Sequence, residues 1–496
     1  MRPIFRSLFN SARTASARIP ADRPRHRGII FVTAMWVTII LGVLVLLFAR
    51  EMRMESTGSA NRLATQQASA IELGVEQYVL SAVDACKGDA VTVLQTPAEQ
   101  IQLGNGYFWI MQTLSTDDNT YAFGITDESS KLNLSVAGDA ELAKLPGITQ
   151  QAADGIVDWR DADSTVTGQG AETSYYQALQ RPYTAKNSPF ESVEELYLVA
   201  GVTDEIMWGQ DLNHNGVLEQ EEVAAGGMSG AFNGGVDSSR GIAPFITVWG
   251  KEPNTDASGN PRVNVNPTPG PPMPNAALVA ALVKAGFTQQ RAMQVADLAL
   301  QRGPYKNMFD FAAKVALTPD EFQKVGDSLT TSAAKTLPGL VNVNTAPSQV
   351  LMCLPGLEQA DADAIVSARG DTSTGAHSSQ SGGSSSTSST STSTNTSLAW
   401  FIKALTPAKV AAIGDRITGR SYFYSADIVA VSGDGRAFKR VRIVMDGRSS
   451  PPIIVFRKDL TSWGWPLSTE IRDNLRNGKA LPAAGGYGTG AVNGVP

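Results

Sequence analysis

The chain has 496 residues, with 41 basic and 47 acidic side chains, three histidines and two cysteines. That length allows a large core and more than one lobe, whereas two cysteines give no disulfide framework and the scattered His26, His214 and His377 give no paired zinc set. The net charge of −6 conceals an asymmetry: residues 1–27 hold seven arginines against one acid, Asp22, so the remainder carries about −12, a poor surface for phosphate backbones.

Arg25-His26-Arg27-Gly28 leads into residues 29–49, which are 21 consecutive residues without a charge. At about 1.5 Å of rise per residue, that is enough helix to cross a bilayer core of roughly 30 Å. The leader's arginines keep this end cytoplasmic and send the remainder across the membrane. A secretory signal needs a small-residue cleavage site after the apolar run, and Phe48-Ala49-Arg50-Glu51 is a poor one. Gly28, between a basic leader and Ile29-Ile30-Phe31-Val32, instead resembles the processing site of prepilin-type proteins. In those, a membrane peptidase cuts after the glycine and leaves the apolar helix on the mature chain.

Within residues 50–100, Ala64, Ala68, Ile71, Val75, Tyr78 and Ala82 recur at steps of four and three. The spacing predicts that the helix continues to about Cys86, its stripe packing on its own domain or on neighbouring subunits. Segments 107–114 and 121–126 are aromatic and β-branched around Ser115-Thr116-Asp117-Asp118-Asn119, a hairpin signal. Comparable strands return at 422–431, 436–445 and 453–456. The architecture expected is therefore α+β: one antiparallel sheet in two parts, 101–130 and 420–460, on a long N-terminal helix. Residues 131–419 are a large inserted all-α domain, and 461–496 a C-terminal tail.

The insertion contains repeats. One offset of 209 superposes Asn133, Leu145-Pro146-Gly147, Asp154, Ile156-Val157 and Arg160 on Asn342, Leu354-Pro355-Gly356, Asp363, Ile365-Val366 and Arg369. A weaker copy runs through Val263-Asn264-Val265-Asn266 and Ala285-Gly286-Phe287. Helix, tight glycine turn and helix resemble a helix-hairpin-helix, the glycine supplying a positive φ. Second helical units end at Thr203, Thr318 and Thr406. The Ser/Thr tract within 372–397 cannot bury enough surface to fold.

Residues 211–222 fit D-x-[DN]-x-[DN]-G-x5-E at every specified position. A structural Ca²⁺ would take side-chain oxygens from Asp211, Asn213, Asn215 and Glu222, the carbonyl of Val217, and Glu219 directly or through water, with Gly216 making the sharp turn. The alternative is an Asx-rich surface loop. Asp158, Asp161, Asp163 and Glu172 form a second acidic cluster, either a further cation site or a solvated loop. No nucleophile elbow, phosphate loop or Cys-His pairing is present, so no enzyme is expected. Helix-hairpin-helix domains that grip DNA carry a second turn glycine and basic neighbours; here Gly147-Ile148-Thr149 and Gly356-Leu357-Glu358 are followed by acids, so no nucleic acid is expected as a partner.

Taken together, the leader ending in Gly28, the long helix, the split sheet, the Leu-Pro-Gly repeats, Asp158-Trp159-Arg160-Asp161-Ala162-Asp163 and Gly170-Ala171-Glu172 resemble the K-type minor pseudopilin of type II secretion systems. The resemblance implies a single-pass protein of the bacterial inner membrane with a periplasmic domain. It implies cleavage between Gly28 and Ile29 by prepilin peptidase, with methylation of the new amino terminus. Most pseudopilins have glutamate at the fifth mature position to neutralise a neighbour's amine; the K-type lacks it, and here that position is Thr33. The implied role is a tip complex with I- and J-type minor pseudopilins, working with the major pseudopilin and the inner-membrane secretion platform. A membrane-anchored DNA receptor of a competence system and a type IV minor pilin are the alternatives.

Overall fold

A computed structural model describes residues 27–113, 121–218, 222, 240–266, 273–369, 396, 398 and 400–481. The chain forms two compact units, Met1–Arg62 and Leu63–Pro496. The stalk helix Arg27–Cys86 is continuous for 60 residues. From Ile29 it is long and apolar enough to cross a membrane, and its apolar side chains there are exposed. Beyond its first and last turns, an unbroken helix satisfies its backbone donors and acceptors internally, as a bilayer core requires.

In the second unit, the sheet consists of β1 (Ile101–Leu103), β2 (Gly106–Gln112), β3 (Ala122–Phe123), β4 (Thr126–Asp127), β5 (Phe423–Val431), β6 (Phe438–Asp446) and β7 (Ile453–Asp459). The order is β1-β2-β5-β6-β7, with β3 on β2 and β4 on β5, all antiparallel. The expected hairpin exists at its base, where Met111 faces Phe123, but Gly124 at φ 154° breaks the strand and 126–127 crosses to β5. The turn at 115–119 lies outside the described residues.

Alternation along the strands gives the sheet two apolar faces. On one, Ile71, Val75, Val79, Val83 and Cys86 of the stalk pack against Phe108, Ile110, Ala426, Ile428 and Ile443. The stripe therefore runs through Val79 and Val83, with Tyr78 and Ala82 half-buried beside it. On the other, Trp109, Met111, Val429 and Val431 meet Leu467, Ile471 and Leu475. The last two belong to the helix Thr469–Arg476, so the segment read as a tail contributes to the core.

Among the described residues, the insertion is mainly helical and also carries four two-stranded pairs. Three of them frame the repeats. The opening strands Leu132–Asn133, Val263–Asn264 and Val341–Asn342 pair in parallel with Ile246–Thr247, Leu329–Thr330 and Ile417–Thr418. The side chains of Asn133, Asn264 and Asn342 accept backbone amides two residues on at 2.8, 2.9 and 3.1 Å, and each closing threonine hydroxyl does the same at 3.1 Å. Between these strands run the helix pairs Asp139–Leu142 and Gln150–Arg160, Ala276–Lys284 and Gln289–Arg302, and Ser348–Cys353 and Gln359–Ala368. The turn glycines Gly147, Gly286 and Gly356 have φ of 75°, 93° and 73°.

Arg160 donates to the carbonyls of Leu134 and Ala137, and Arg369 to that of Ala346, which the 209 offset makes the counterpart of Ala137. The first and last repeats share one core, joined by Lys144 donating to the carbonyls of Met352 and Leu354, while the middle repeat has its own and adds Phe309, Ala312 and Phe322 to the shared one. Cys86 and Cys353 are both free and buried, in the stalk core and the repeat core respectively.

The chain leaves the sheet through two buried acids. Asp127 accepts from the Ser129 amide, Asn342 and Thr345 at 2.8, 2.9 and 2.6 Å, and burial raises its carboxyl above the ordinary range. Burial opposes ionisation of Glu128 too, yet Lys131 at 2.6 Å, with Ser425 and Thr247, holds it below. These two neighbours thus tie the sheet to the closing strand of the first repeat and the opening strand of the last.

Candidate functional site

The loop from Asp211 follows the short helix Asp204–Trp208, which Thr203 caps by accepting the Ile206 amide. Its side-chain oxygens accept amides of the loop itself. Asp211 takes the amides of Asn215 and Gly216 at 3.1 and 2.8 Å, Asn213 the amide of Asn215 at 3.0 Å, and Asn215 that of Val217 at 2.8 Å. Glu222 folds back over the loop's start and accepts from Leu212 and Asn213 at 3.0 and 3.1 Å. Glu219 lies outside the described residues. Gly216 has φ of 82°, and a Cβ there would meet the Thr113 carbonyl at 2.5 Å, so glycine is required twice over.

Asp211, Asn215, Val217 and Glu222 are all buried. Burial pushes the Asp211 carboxyl up to about 7, with Glu222 adding to the shift and the Gly216 amide opposing it. A hard dication among these oxygens would reverse that shift. His214, at a non-liganding position, is stacked on Trp208 at 4.0 Å with Trp463 edge-on at 4.3 Å. Its imidazole falls to about 4 through burial and the nearby Arg440 and Arg442.

The loop is held by the sheet. Arg440 of β6 is fully buried and donates to the carbonyls of Asn213 and His214 at 2.8 and 2.7 Å while pairing with Asp427 of β5 at 2.9 Å. Asn215 donates to the Pro466 carbonyl at 3.0 Å. Sequence reasoning missed this anchor. No sequence signal marked it, because Arg440 and Arg442 alternate with the core residues Val441 and Ile443 as a solvent-facing register would.

Of the second acidic cluster, Asp158, Asp161 and Glu172 are brought together, their nearest oxygens within 4.8 Å of one another. Asp163 points elsewhere, accepting the Thr165 amide at 2.7 Å. The cluster lies where the helix Gln150–Arg160 ends and the chain returns through Gly170, whose missing side chain makes room for Asp158: a Cβ would approach its Oδ2 to 2.2 Å. Glu172 is 3% exposed, and neither of its oxygens, nor Oδ1 of Asp161, has a well-formed hydrogen bond. Burial raises both carboxyls, Asp163 and Asp158 adding to the shift of Asp161, and Asp161 to that of Glu172. Carboxylate oxygens held this close with so few donors carry a desolvation cost that hydrogen bonds do not offset.

At the other end of the chain, the Thr33 hydroxyl donates to the Ile30 carbonyl at 3.0 Å, so its oxygen is turned back onto its own helix. Two segments of the chain match models of one family. Residues 119–208 and residues 341–397 each match type II secretion system protein K. Over these two segments the chain is similar to that family. The first matched segment contains the Asp158, Asp161 and Glu172 cluster, and the second contains the glycine turn of the last repeat. No curated protein sequence matches the chain. Among solved structures, a chain of the GspK-GspI-GspJ complex from the enterotoxigenic Escherichia coli type 2 secretion system is similar at 12% identity, covering 79% of this chain and 96% of that one with a TM-score of 0.33.

Proposed function

We propose that this chain is a K-type pseudopilin that caps the tip of a pseudopilus and starts its assembly with I- and J-type minor pseudopilins, so that folded proteins are exported across the outer membrane. The observation that carries this reading is Thr33, placed five residues after Gly28 on an apolar helix in a chain similar to the protein K family. A subunit with no neighbour above it has no amine to neutralise, and a carboxylate there would be an unpaired charge in hydrocarbon. The leader's arginines orient the chain with its N-terminus in the cytoplasm and its second unit in the periplasm. The major pseudopilin and the secretion platform of the inner membrane are the further partners. The role is structural, with no catalytic group.

The amino-terminal residue after co-expression with prepilin peptidase tests this directly. A mature chain starting at Ile29 that co-purifies with I- and J-type pseudopilins is expected; an uncut chain means a permanent anchor and overturns the reading.

Ca²⁺ is the proposed structural ion at Asp211, Asn213, Asn215, Val217, Glu219 and Glu222, with a second cation held by Asp158, Asp161 and Glu172. The support is donor chemistry: hard oxygens, buried, with carboxyls that burial alone leaves poorly stabilised. Added Ca²⁺ is expected to raise the melting temperature of the full chain in detergent, and Glu222→Ala to remove part of that rise while leaving the chelated protein nearly unchanged. Glu172→Gln is expected to remove one ion from the bound stoichiometry. Identical melting curves with Ca²⁺ and with chelator would refute both sites.

A further inference from the structure

Glu72 and Glu76 lie one turn apart on the stalk helix and are 2% and 6% exposed. Both face β7. Arg457 of that strand donates Nη2 to Glu72 at 2.8 Å and Nε to Glu76 at 2.7 Å. The other charged groups of β7 are engaged elsewhere, Lys458 with Glu194 at 2.8 Å and Asp459 with Lys439. Two buried carboxyls therefore share one guanidinium that is itself 42% exposed, and the set is neutral only when it also holds one proton.

We propose that Glu72, Glu76 and Arg457 form a proton-operated latch between the stalk helix and the outer strand of the sheet. With the proton, the carboxyl pair is bridged and Arg457 balances the remaining charge, so β7 is held to the stalk. Without it, two buried carboxylates repel each other across one partly exposed guanidinium, and the strand is released more readily. Burial, with Glu76 beside it, holds the Glu72 carboxyl at about 7 against an ordinary 4.5, Arg457 opposing the shift. The sign follows: the closed form binds one more proton than the open form between those values. Closure is strongest near pH 4.5, weakens as pH rises towards 7, and is constant above. Because β7 is an outer strand that exposes Ile453 and Val455, the latch sets how firmly that edge is presented to a neighbour.

Hydrogen exchange of residues 453–459 in the full chain in detergent, corrected for intrinsic rates, tests the latch between pH 5 and 8.5. The opening constant is expected to rise about tenfold per pH unit up to pH 7 and then level off, because opening releases one proton. Glu72→Gln keeps the bridge without the titration and is expected to be flat and protected throughout. Should that variant fail to fold, Glu76→Gln leaves one carboxylate for one guanidinium and is also expected to be flat. A wild-type profile without the rise, or a variant that keeps it, overturns the proposal.

Discussion

Arg440 connects two regions that are far apart in the chain. Its guanidinium is fully buried, bidentate to Asp427 at 3.1 and 2.9 Å, and still reaches two carbonyls of the candidate calcium loop. Removing one member of such a set leaves the other buried and under-compensated. Arg440→Met is expected to cost about 3–5 kcal/mol in denaturant unfolding. Arg440→Lys is expected to rescue little, since an ammonium cannot serve four acceptors in a plane. Burial would raise the Asp427 carboxyl, yet Arg440 and Arg442 hold it below its ordinary 3.8. That contribution is present above pH 3.8 and is lost as the pH falls through the depressed value, so Arg440→Met is also expected to flatten the acid limb of the stability profile. At this scale the loop was legible, because Asp211, Asn213, Asn215, Gly216 and Glu222 form a local pattern. Its anchor was not, because nothing in residues 211–222 names a partner in β6.

Among the elements, the repeats were half legible. The opening strands Leu132–Asn133 and Val341–Asn342 and the Leu-Pro-Gly turns share one offset and could be superposed by eye. The closing strands ending in Thr247, Thr330 and Thr418 could not, because each lies at a different distance from its opening strand and two residues carry little pattern. Their hydroxyls are not equivalent energetically. Thr418 also donates to the buried Glu252 at 2.6 Å, whereas Thr330 accepts only the Ser332 amide at 3.1 Å among the bonds described. Thr418→Val is expected to cost about 1–3 kcal/mol and Thr330→Val about 0.5–1.5 kcal/mol, compared by chemical denaturation. The turn glycines separate backbone from packing. Gly356 has φ of 73° with open space where a Cβ would sit, so Gly356→Ala is expected to cost only the left-handed strain of about 1–2 kcal/mol.

For the whole molecule, the α+β organisation was readable because the stalk, the two strand clusters and the helical middle differ in hydrophobic period. Which strand pairs with which was not. β2 and β5 are neighbours, with Ile110 opposite Ile428, although the entire insertion lies between them in sequence. The stalk face of the sheet therefore takes residues from both ends of the chain. Truncation after the insertion, before β5, is expected to leave β2 without its central partner and the stalk core open, read as lost amide protection at residues 106–112 and dye binding to exposed apolar surface. The same pairing imposes an order in time. As the polypeptide emerges from its amino-terminal end, the stalk and first strands arrive hundreds of residues before the strands that cover them. A nascent chain must shield its apolar stripe until the final fifth of the protein is made, so the insertion lengthens the interval in which quality control, rather than packing, protects this subunit.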